Sequence, residues 1–290
     1  MHEPIQRLDR AYIGKTYQLS PIHLTSEKIH EYALASNEKN LHFLQTTDES
    51  QLYVPPLLPI ILVIDLMKKT AKDCRKIGIN PLKVVEGEYE VQWMDTMQVG
   101  DFIESFAEVL KMKEFSGMDI IEVLVSCLRH NDPLLKIRYS LVHFTKPRRK
   151  SKKLSNFHPQ PKLGKKLAER SIIITQDQAI RYGEVSGDRL PIHFDEKFAH
   201  SLGFPGPILH GPCVLTMALQ AVVDDILDGD PTRLDFMKVR VKNPVLMGQT
   251  ITTQIYETQV MKEGYKVIHF ITINQEGIKI LSNGVVIFKE

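Results

Sequence analysis

Two hydrophobic patterns succeed one another along the chain, and the succession occurs twice. The Pro-rich stretch Val54-Pro-Pro-Leu-Leu-Pro59 leads into an apolar run that reaches Met67. A second such turn, beginning at Phe204-Pro-Gly-Pro, leads into a longer run that reaches Ile226. Predominantly apolar character after a proline-bearing start predicts a buried helix in each place. The pattern then changes to alternation of apolar and polar residues, the period of half-buried strands. The alternating stretches fall near 84–93, 102–111, 119–128 and 135–144, and again near 236–241, 250–258, 266–273 and 278–288. A helix covering the apolar face of an antiparallel sheet is an α+β layer pair. The chain therefore reads as two such units, at 1–145 and 166–290, joined by a linker at 146–165.

The repeat extends to single residues upstream of each helix. Thr25 aligns with Thr175, Tyr32 with Tyr182, Ser36 with Ser186, Glu38 with Asp188 and, after one deletion, His42 with His193. Charge adds one detail to this frame. Glu88 and Glu90 share a face of the first strand after the first helix, whereas Lys238, Arg240 and Lys242 share a face of its counterpart. Either these are solvated faces, or the two strands pair across a pseudo-twofold axis with opposite charges in register.

With 43% apolar and 25% charged residues and a net charge of +2 over 290 residues, the composition suits a globular protein with no overall attraction to nucleic acid. Basic character is local, in Lys146-Pro-Arg-Arg-Lys-Ser-Lys-Lys153 of the linker, which reads as a solvated tether or as a patch meeting the phosphates of a ligand or carrier. Cys74, Cys127 and Cys213 stand singly without metal-ligand spacing and read as buried thiols in a reducing compartment. The N-terminus lacks the basic flank and apolar core of a signal peptide, and no charge-free apolar segment is long enough to span a membrane. The expectation is a cytoplasmic protein.

The chemistry concentrates between Tyr182 and Met217. Asp188 and His193 stand five residues apart in a loop stiffened by Gly187 and Pro191, so an acid and a base are placed to converge on one point. A carboxylate and a neutral imidazole sharing a water can remove its proton and deliver one to a neighbouring carbon. His210-Gly211-Pro212 opens the second helix, whose first backbone N–H groups lack intrahelical partners and sit at the positive end of the helix dipole. Such donors stabilise an oxyanion developing on a carbonyl. Tyr182, Leu190, Pro207 and Cys213 flank these groups as candidate pocket walls, although Tyr182 and Cys213 also read as core residues. His210 reads as a hydrogen-bonding residue at the helix entry.

Tyr-x-x-x-Ser-Gly-Asp-x-x-Pro-Ile-His-x-Asp, followed by Gly-Phe-x-x-Pro-Ile-x-His-Gly, resembles the signature of the MaoC-like, (R)-specific enoyl-CoA hydratase family. The resemblance implies a double hot dog, in which each unit wraps an antiparallel sheet around a long central helix and only the C-terminal unit is catalytic. It implies that Asp188 and His193 activate water for reversible addition across the double bond of a trans-2-enoyl thioester. It further implies that Gly211, with His210 beside it, binds the thioester carbonyl. No metal or redox cofactor is implied, because the pantetheine of coenzyme A or acyl carrier protein belongs to the substrate; a homodimer is the family's expectation for assembly. Basic residues of the linker, or Arg189, are the candidates for meeting the carrier's phosphates.

Two departures bear on activity. Leu190 stands where the family usually has Asn, and Pro212 follows the His-Gly turn in place of the more frequent Met. The Leu190 exchange keeps open a non-catalytic acyl-thioester binding protein, and a thioesterase on the same fold is the other alternative. In the first unit Glu38 and His42 are four residues apart, and Pro59-Ile60 takes the place of His210-Gly211. That copy is expected to be catalytically dead. Leu57, Leu58, Ile60, Ile61, Leu62 and Ile64 then either shape an acyl-chain tunnel or fill the core.

Overall fold

The computed structural model describes residues 8–44, 52–115, 117–145, 163–260 and 263–290, and the basic linker reading falls almost wholly outside these residues. Among the described residues, ten strands form one path in a single sheet, and an eleventh short strand, β2 (Ile22–His23), pairs off that path with β4 (Phe102–Phe115). The first unit contributes, in spatial order, β1 (Thr16–Gln18), β4 (Phe102–Phe115), β5 (Met118–Arg129), β6 (Asp132–Phe144) and β3 (Val84–Trp93). The second contributes, read inward from its own edge, β7 (Lys166–Ile173), β9 (Thr250–Glu257), β10 (Tyr265–Asn274), β11 (Lys279–Lys289) and β8 (Leu234–Val241). Each order is the other's repeat, and β3 meets β8 at the centre.

Helices follow the same duplication. α1 (Ser26–Ala35) corresponds to α3 (Gln178–Ser186), and α2 (Leu62–Ile77) to α5 (Gly211–Ile226), with the short α4 (Glu196–Ser201) found only in the second unit among the described residues. α5 is buried on all sides from Pro212 to Val223, as its apolar sequence requires. α2 differs from the expectation of a buried helix. Leu62, Val63 and Ile64 open it, but Asp65, Lys68, Lys69 and Asp73 give it a polar side. Leu57, Leu58, Ile60, Leu62 and Ile64 are buried in the core, and Met67 is the α2 residue that reaches the cavity described below. The alternative of a tunnel built from those residues is therefore replaced by core packing.

The junction bears out the charge reading. β3 and β8 pair antiparallel, with Glu88 opposite Arg240, Tyr89 opposite Val239 and Glu90 opposite Lys238. Lys238 Nζ lies 3.1 Å from Glu88 and 2.5 Å from Glu90. These groups are partly exposed, so each contact contributes at most about 1 kcal/mol. The apolar core passes without interruption from one unit to the other, including Tyr89, Val91 and Tyr139 on one side and Met237, Val239 and Val286 on the other. The Tyr32 and Tyr182 rings meet edge-on across the junction at 5.9 Å, and the Tyr32 hydroxyl bonds Thr216 Oγ1 at 2.8 Å.

Candidate functional site

The loop that carries Asp188 and His193 begins where α3 must stop. Gly187 adopts φ 69°, a left-handed conformation that glycine takes without the penalty of a Cβ, and it turns the chain out of the helix. Ser186 Oγ donates to the Tyr182 carbonyl at 2.7 Å and accepts from the Asp188 N–H at 3.2 Å, which fixes the exit direction. The Leu190 N–H donates to Asp188 Oδ1 at 3.1 Å. Pro191–His193 then forms a tight 3-10 turn, and Asp195 caps α4 through the Phe198 N–H. Ile192 and Ile208, with Ala199, Leu202 and Phe204, form an apolar cluster beneath this loop.

These constraints bring Asp188 and His193 together in a buried site. His193 Nδ1 donates to the Ile208 carbonyl at 2.8 Å, which assigns the proton to that nitrogen in the neutral ring. Nε2 therefore keeps its lone pair and faces Asp188 Oδ2 at 3.5 Å. Burial works against charge on His193, but the hydrogen bond and attraction of Asp188 outweigh it and hold its pKa above the ordinary imidazole value. Burial would likewise raise the Asp188 carboxyl; the His193 interaction instead holds it below its ordinary value.

His210 lies under this pair. Its Nε2–H donates to the Asp188 backbone carbonyl at 3.1 Å, and its ring stacks on that of His193 with centroids 3.7 Å apart. Burial, reinforced by the neighbouring His193, lowers its pKa to about 3, so His210 is a neutral ring that positions the loop. Donor atoms of Asp188, His193 and His210 lie within 4.8 Å of one another, a spacing a metal ion could use. Two of the four ring nitrogens, however, are already donating to backbone carbonyls.

Asp188, His193 and Gly211 line a cavity of about 1160 Å³, together with groups from both units. Leu190, Ile192, Phe204 and Ile208 join Val85 and Phe144 of the first unit on its apolar wall, while Arg240, Lys242 and Asn243 bring polar groups. Of the other candidates, Tyr182 and Cys213 are fully buried in the core and do not line the cavity. Burial pushes the Cys213 thiol up, away from nucleophilic character. Pro207 also stands off the lining, where Phe204, Pro205 and Ile208 take its place, and the exposed Arg189 is absent from it.

Two residues at the site escaped the sequence reading. Gly183 lies within α3, where a Cβ would come 2.9 Å from the Asp188 carbonyl oxygen and 2.9 Å from Phe194. A glycine next to Tyr182 inside an otherwise good helix was the available signal. Glu86 of β3 lines the cavity from the first unit, and its Oε2 would stand 3.1 Å from a Cβ placed on Gly211. Gly87 inside a strand was the signal there, since glycine in a strand interior marks a bulge or a close approach.

The damaged copy keeps the same frame. Ser36 Oγ donates to Tyr32 O at 2.8 Å, Asn37 takes the left-handed φ of 59°, and Glu38 accepts from the N–H groups of Lys39 and Asn40. His42 packs on Tyr53 with centroids 5.4 Å apart. At the spacing that takes His42 to His193, Pro59 and Ile60 stand for His210 and Gly211. A 3-10 turn over Leu58–Ile61 covers that point, and α2 begins at Leu62. Among the described residues, the start of α2 carries no glycine.

Comparison with known proteins agrees with this architecture. Residues 159–277 match the family model described as MaoC like domain, and residues 11–135 match one described as FAS1-like, dehydratase domain region. The chain is 25% identical to a protein of Dictyostelium discoideum named probable enoyl-CoA hydratase 2, over 94% of both chains. It is 36% identical to enoyl-CoA hydratase 2, peroxisomal, of Arabidopsis thaliana, over 36% of this chain and 32% of that one. The crystal structure of a MaoC-like dehydratase from Phytophthora capsici superimposes with a TM-score of 0.79 at 22% identity, covering 98% of each chain. The chain thus carries a MaoC-like domain at residues 159–277 and a FAS1-like dehydratase region at residues 11–135, in the double hot-dog fold of its structural neighbours.

Proposed function

We propose that the chain hydrates trans-2-enoyl thioesters to (R)-3-hydroxyacyl thioesters, reversibly, in its C-terminal unit. The observation that carries the reading is the pairing of Asp188 with the unprotonated Nε2 of His193 at 3.5 Å, on the wall of a cavity that also contains Gly211 at the start of α5. A neutral imidazole nitrogen and a carboxylate are both acceptors. A water donating one O–H to each satisfies both and is aimed by them. Attack of its oxygen on C3 moves the π electrons toward the thioester oxygen, where the Gly211 N–H meets the developing charge. One hydrogen of the water remains on the new hydroxyl and the other reaches C2 through the Asp188–His193 pair, so the site returns to its starting state.

The surroundings suit this substrate class. At about 1160 Å³ the cavity exceeds the usual range for compact ligands and suits an elongated thioester. Its apolar wall around Leu190, Ile192 and Phe204 matches an acyl chain, and Arg240 and Lys242 offer cations to the phosphates of coenzyme A or of an acyl carrier. Leu190 joins this apolar wall in place of the amide usual in the family. Relatives carry names that assign enoyl-CoA hydration or 3-hydroxyacyl-thioester dehydration to them, in agreement with the geometry. Among the described residues no helix is long and apolar enough to cross a membrane. The cytoplasm remains our reading of the compartment; several relatives are named peroxisomal, and imaging a tagged chain separates the two.

The test is Asp188→Asn, assayed by loss of the enoyl absorbance of crotonyl-CoA. Turnover is expected to fall by at least 100-fold, the contribution of one general acid–base group. Unchanged turnover would refute the assignment. Release of free thiol from acyl-CoA, with the enoyl group intact, would assign thioester hydrolysis instead.

A further inference from the structure

We propose that Glu86, supplied by the first unit, is a catalytic residue of the second unit's site and donates a hydrogen bond from its carboxyl to the thioester oxygen, beside the Gly211 N–H. The assignment rests on the hydratase reading and adds a group that lies outside its sequence motif.

A strand defect carries Glu86 into the site. In the pairing of β3 with β6, Glu86 faces Leu141 and Tyr89 faces Tyr139, so three steps on β3 span two on β6. This is a β-bulge, a feature that re-aims side chains near active sites. The Glu88 N–H donates to Ser140 Oγ at 2.8 Å within it, and a Cβ on Gly87 would come 2.6 Å from that same oxygen, so only glycine fits. In an unbroken strand Glu86 would share the outer face with Glu88 and Glu90. The extra residue reverses its side, placing it with the buried Tyr89 and Val91 and in the cavity lining. The second copy has irregularities both on β11, between Ser282 and Val285, and on β8, between Phe236 and Leu234, and it has Phe236 where the first copy has Glu86.

The carboxyl then packs directly on Gly211. A Cβ at Gly211 would come 3.1 Å from Glu86 Oε2, so the acid occupies the side of the helix start from which a thioester oxygen would be held. An ionised carboxylate there would oppose the enolate that forms during hydration, whereas a protonated one reinforces the Gly211 N–H. Burial, together with the charge of Asp188, favours the protonated form. The charge balance is simple: as the oxygen–C3 bond forms, the π electrons of C2=C3 pass to the thioester oxygen, and they return as C2 takes its proton. Glu86 keeps its own proton throughout, which separates its role from the proton transfers of Asp188 and His193.

The experiment compares Glu86→Ala and Glu86→Gln in the full chain, with crotonyl-CoA as substrate. Glutamine keeps a neutral donor at the same length. E86A is expected to lose about 100- to 1000-fold in kcat, the loss typical of one oxyanion donor, and E86Q to recover all but about tenfold. A binding readout accompanies this, in the D188N background so that turnover does not interfere. 2,4-Hexadienoyl-CoA bound by a site that polarises its carbonyl absorbs at longer wavelength than the free thioester, and this red shift should persist with E86Q and vanish with E86A. E86A within threefold of the parent, or equal losses in both variants with the red shift unchanged, would overturn the proposal. A red shift that depends on Glu86 in a chain that does not hydrate crotonyl-CoA would keep the assignment of Glu86 and refute the hydratase reading.

Discussion

Replacing Gly183 by alanine sets two effects of opposite sign against each other, and the structure says which one wins. Alanine is the better helix residue by about 1 kcal/mol, so an unconstrained position in α3 would be stabilised by the change. At Gly183, however, the new methyl group would lie 2.9 Å from the Asp188 carbonyl oxygen, 2.9 Å from Phe194 Cζ and 3.7 Å from His210 Cε1. Carbon contacts relax at roughly 3.5–4.0 Å, so roughly 0.6 to 1.1 Å must be found in the Asp188–His193 loop. Overpacking of this kind costs about 1–3 kcal/mol, which leaves the variant between roughly equal to the parent and 2 kcal/mol less stable. In melting temperature that is a fall of no more than about 8 °C. Activity should suffer far more. The displaced carbonyl is the acceptor of the His210 Nε2–H, and the His210 ring is the surface on which His193 stacks. A misplacement near 1 Å costs about 100-fold in rate. Crotonyl-CoA hydration measured beside a thermal melt therefore separates the two quantities. A Gly183→Ala variant that melts higher than the parent and turns over at the parental rate would refute the claim that α3 pins the loop.

Two further predictions concern charge. Because His193 must present an unprotonated Nε2, and Asp188 holds its pKa above 6.5, kcat/KM should fall on the acid side with a midpoint above 6.5; an acid midpoint below 6.5 would contradict the pairing. The stability effect has a definite window. The raised His193 pKa contributes stability fully below 6.5 and loses it as pH rises through the folded value, while the lowered Asp188 pKa contributes above 3.8 and loses it as pH falls through its folded value. Asp188→Asn should therefore cost most in urea stability near pH 5.5 and less at pH 9. At the junction, Lys238→Ala removes the contacts to Glu88 and Glu90. With these side chains more than a quarter exposed, it should lower urea stability by no more than about 1 kcal/mol, and less in 1 M NaCl. A salt-independent loss of several kcal/mol would show that packing rather than charge holds that point.

Much of this was legible in the sequence because it is written in short periods. Alternation located β3 within its observed span of Val84–Trp93, and the charges on alternate residues of β3 and β8 foretold which strands meet. The acid and the base were readable because they lie five residues apart in one loop, and the helix start because His210-Gly211-Pro212 marks it. The strand β7 was not, since its side chains alternate between exposed and half-buried and none is fully buried, leaving little hydrophobic contrast. Glu86 was hidden for a different reason. Its direction depends on a single bulge opposite Ser140, which inverts the face that the surrounding alternation would assign. Tyr182 and Cys213 lie within or next to the motif in sequence but on the core side in space, because α3 turns Tyr182 toward Tyr32 of the first unit and α5 turns Cys213 against Gln178 of α3.

The pairing of β3 with β8 has a consequence for ancestry. The contact is centred on Tyr89 opposite Val239, so two identical units meeting here would set each strand against its own copy. Two first units would then oppose Glu88 with Glu90, and two second units would oppose Lys238 with Arg240; like charges face each other in both, to the detriment of the pair. Once the copies had diverged to acid on one strand and base on the other, covalent fusion ceased to be a convenience. The joined pair became the one association in which neither strand repels its neighbour, so the divergence acts as a ratchet against return to separate, self-pairing chains.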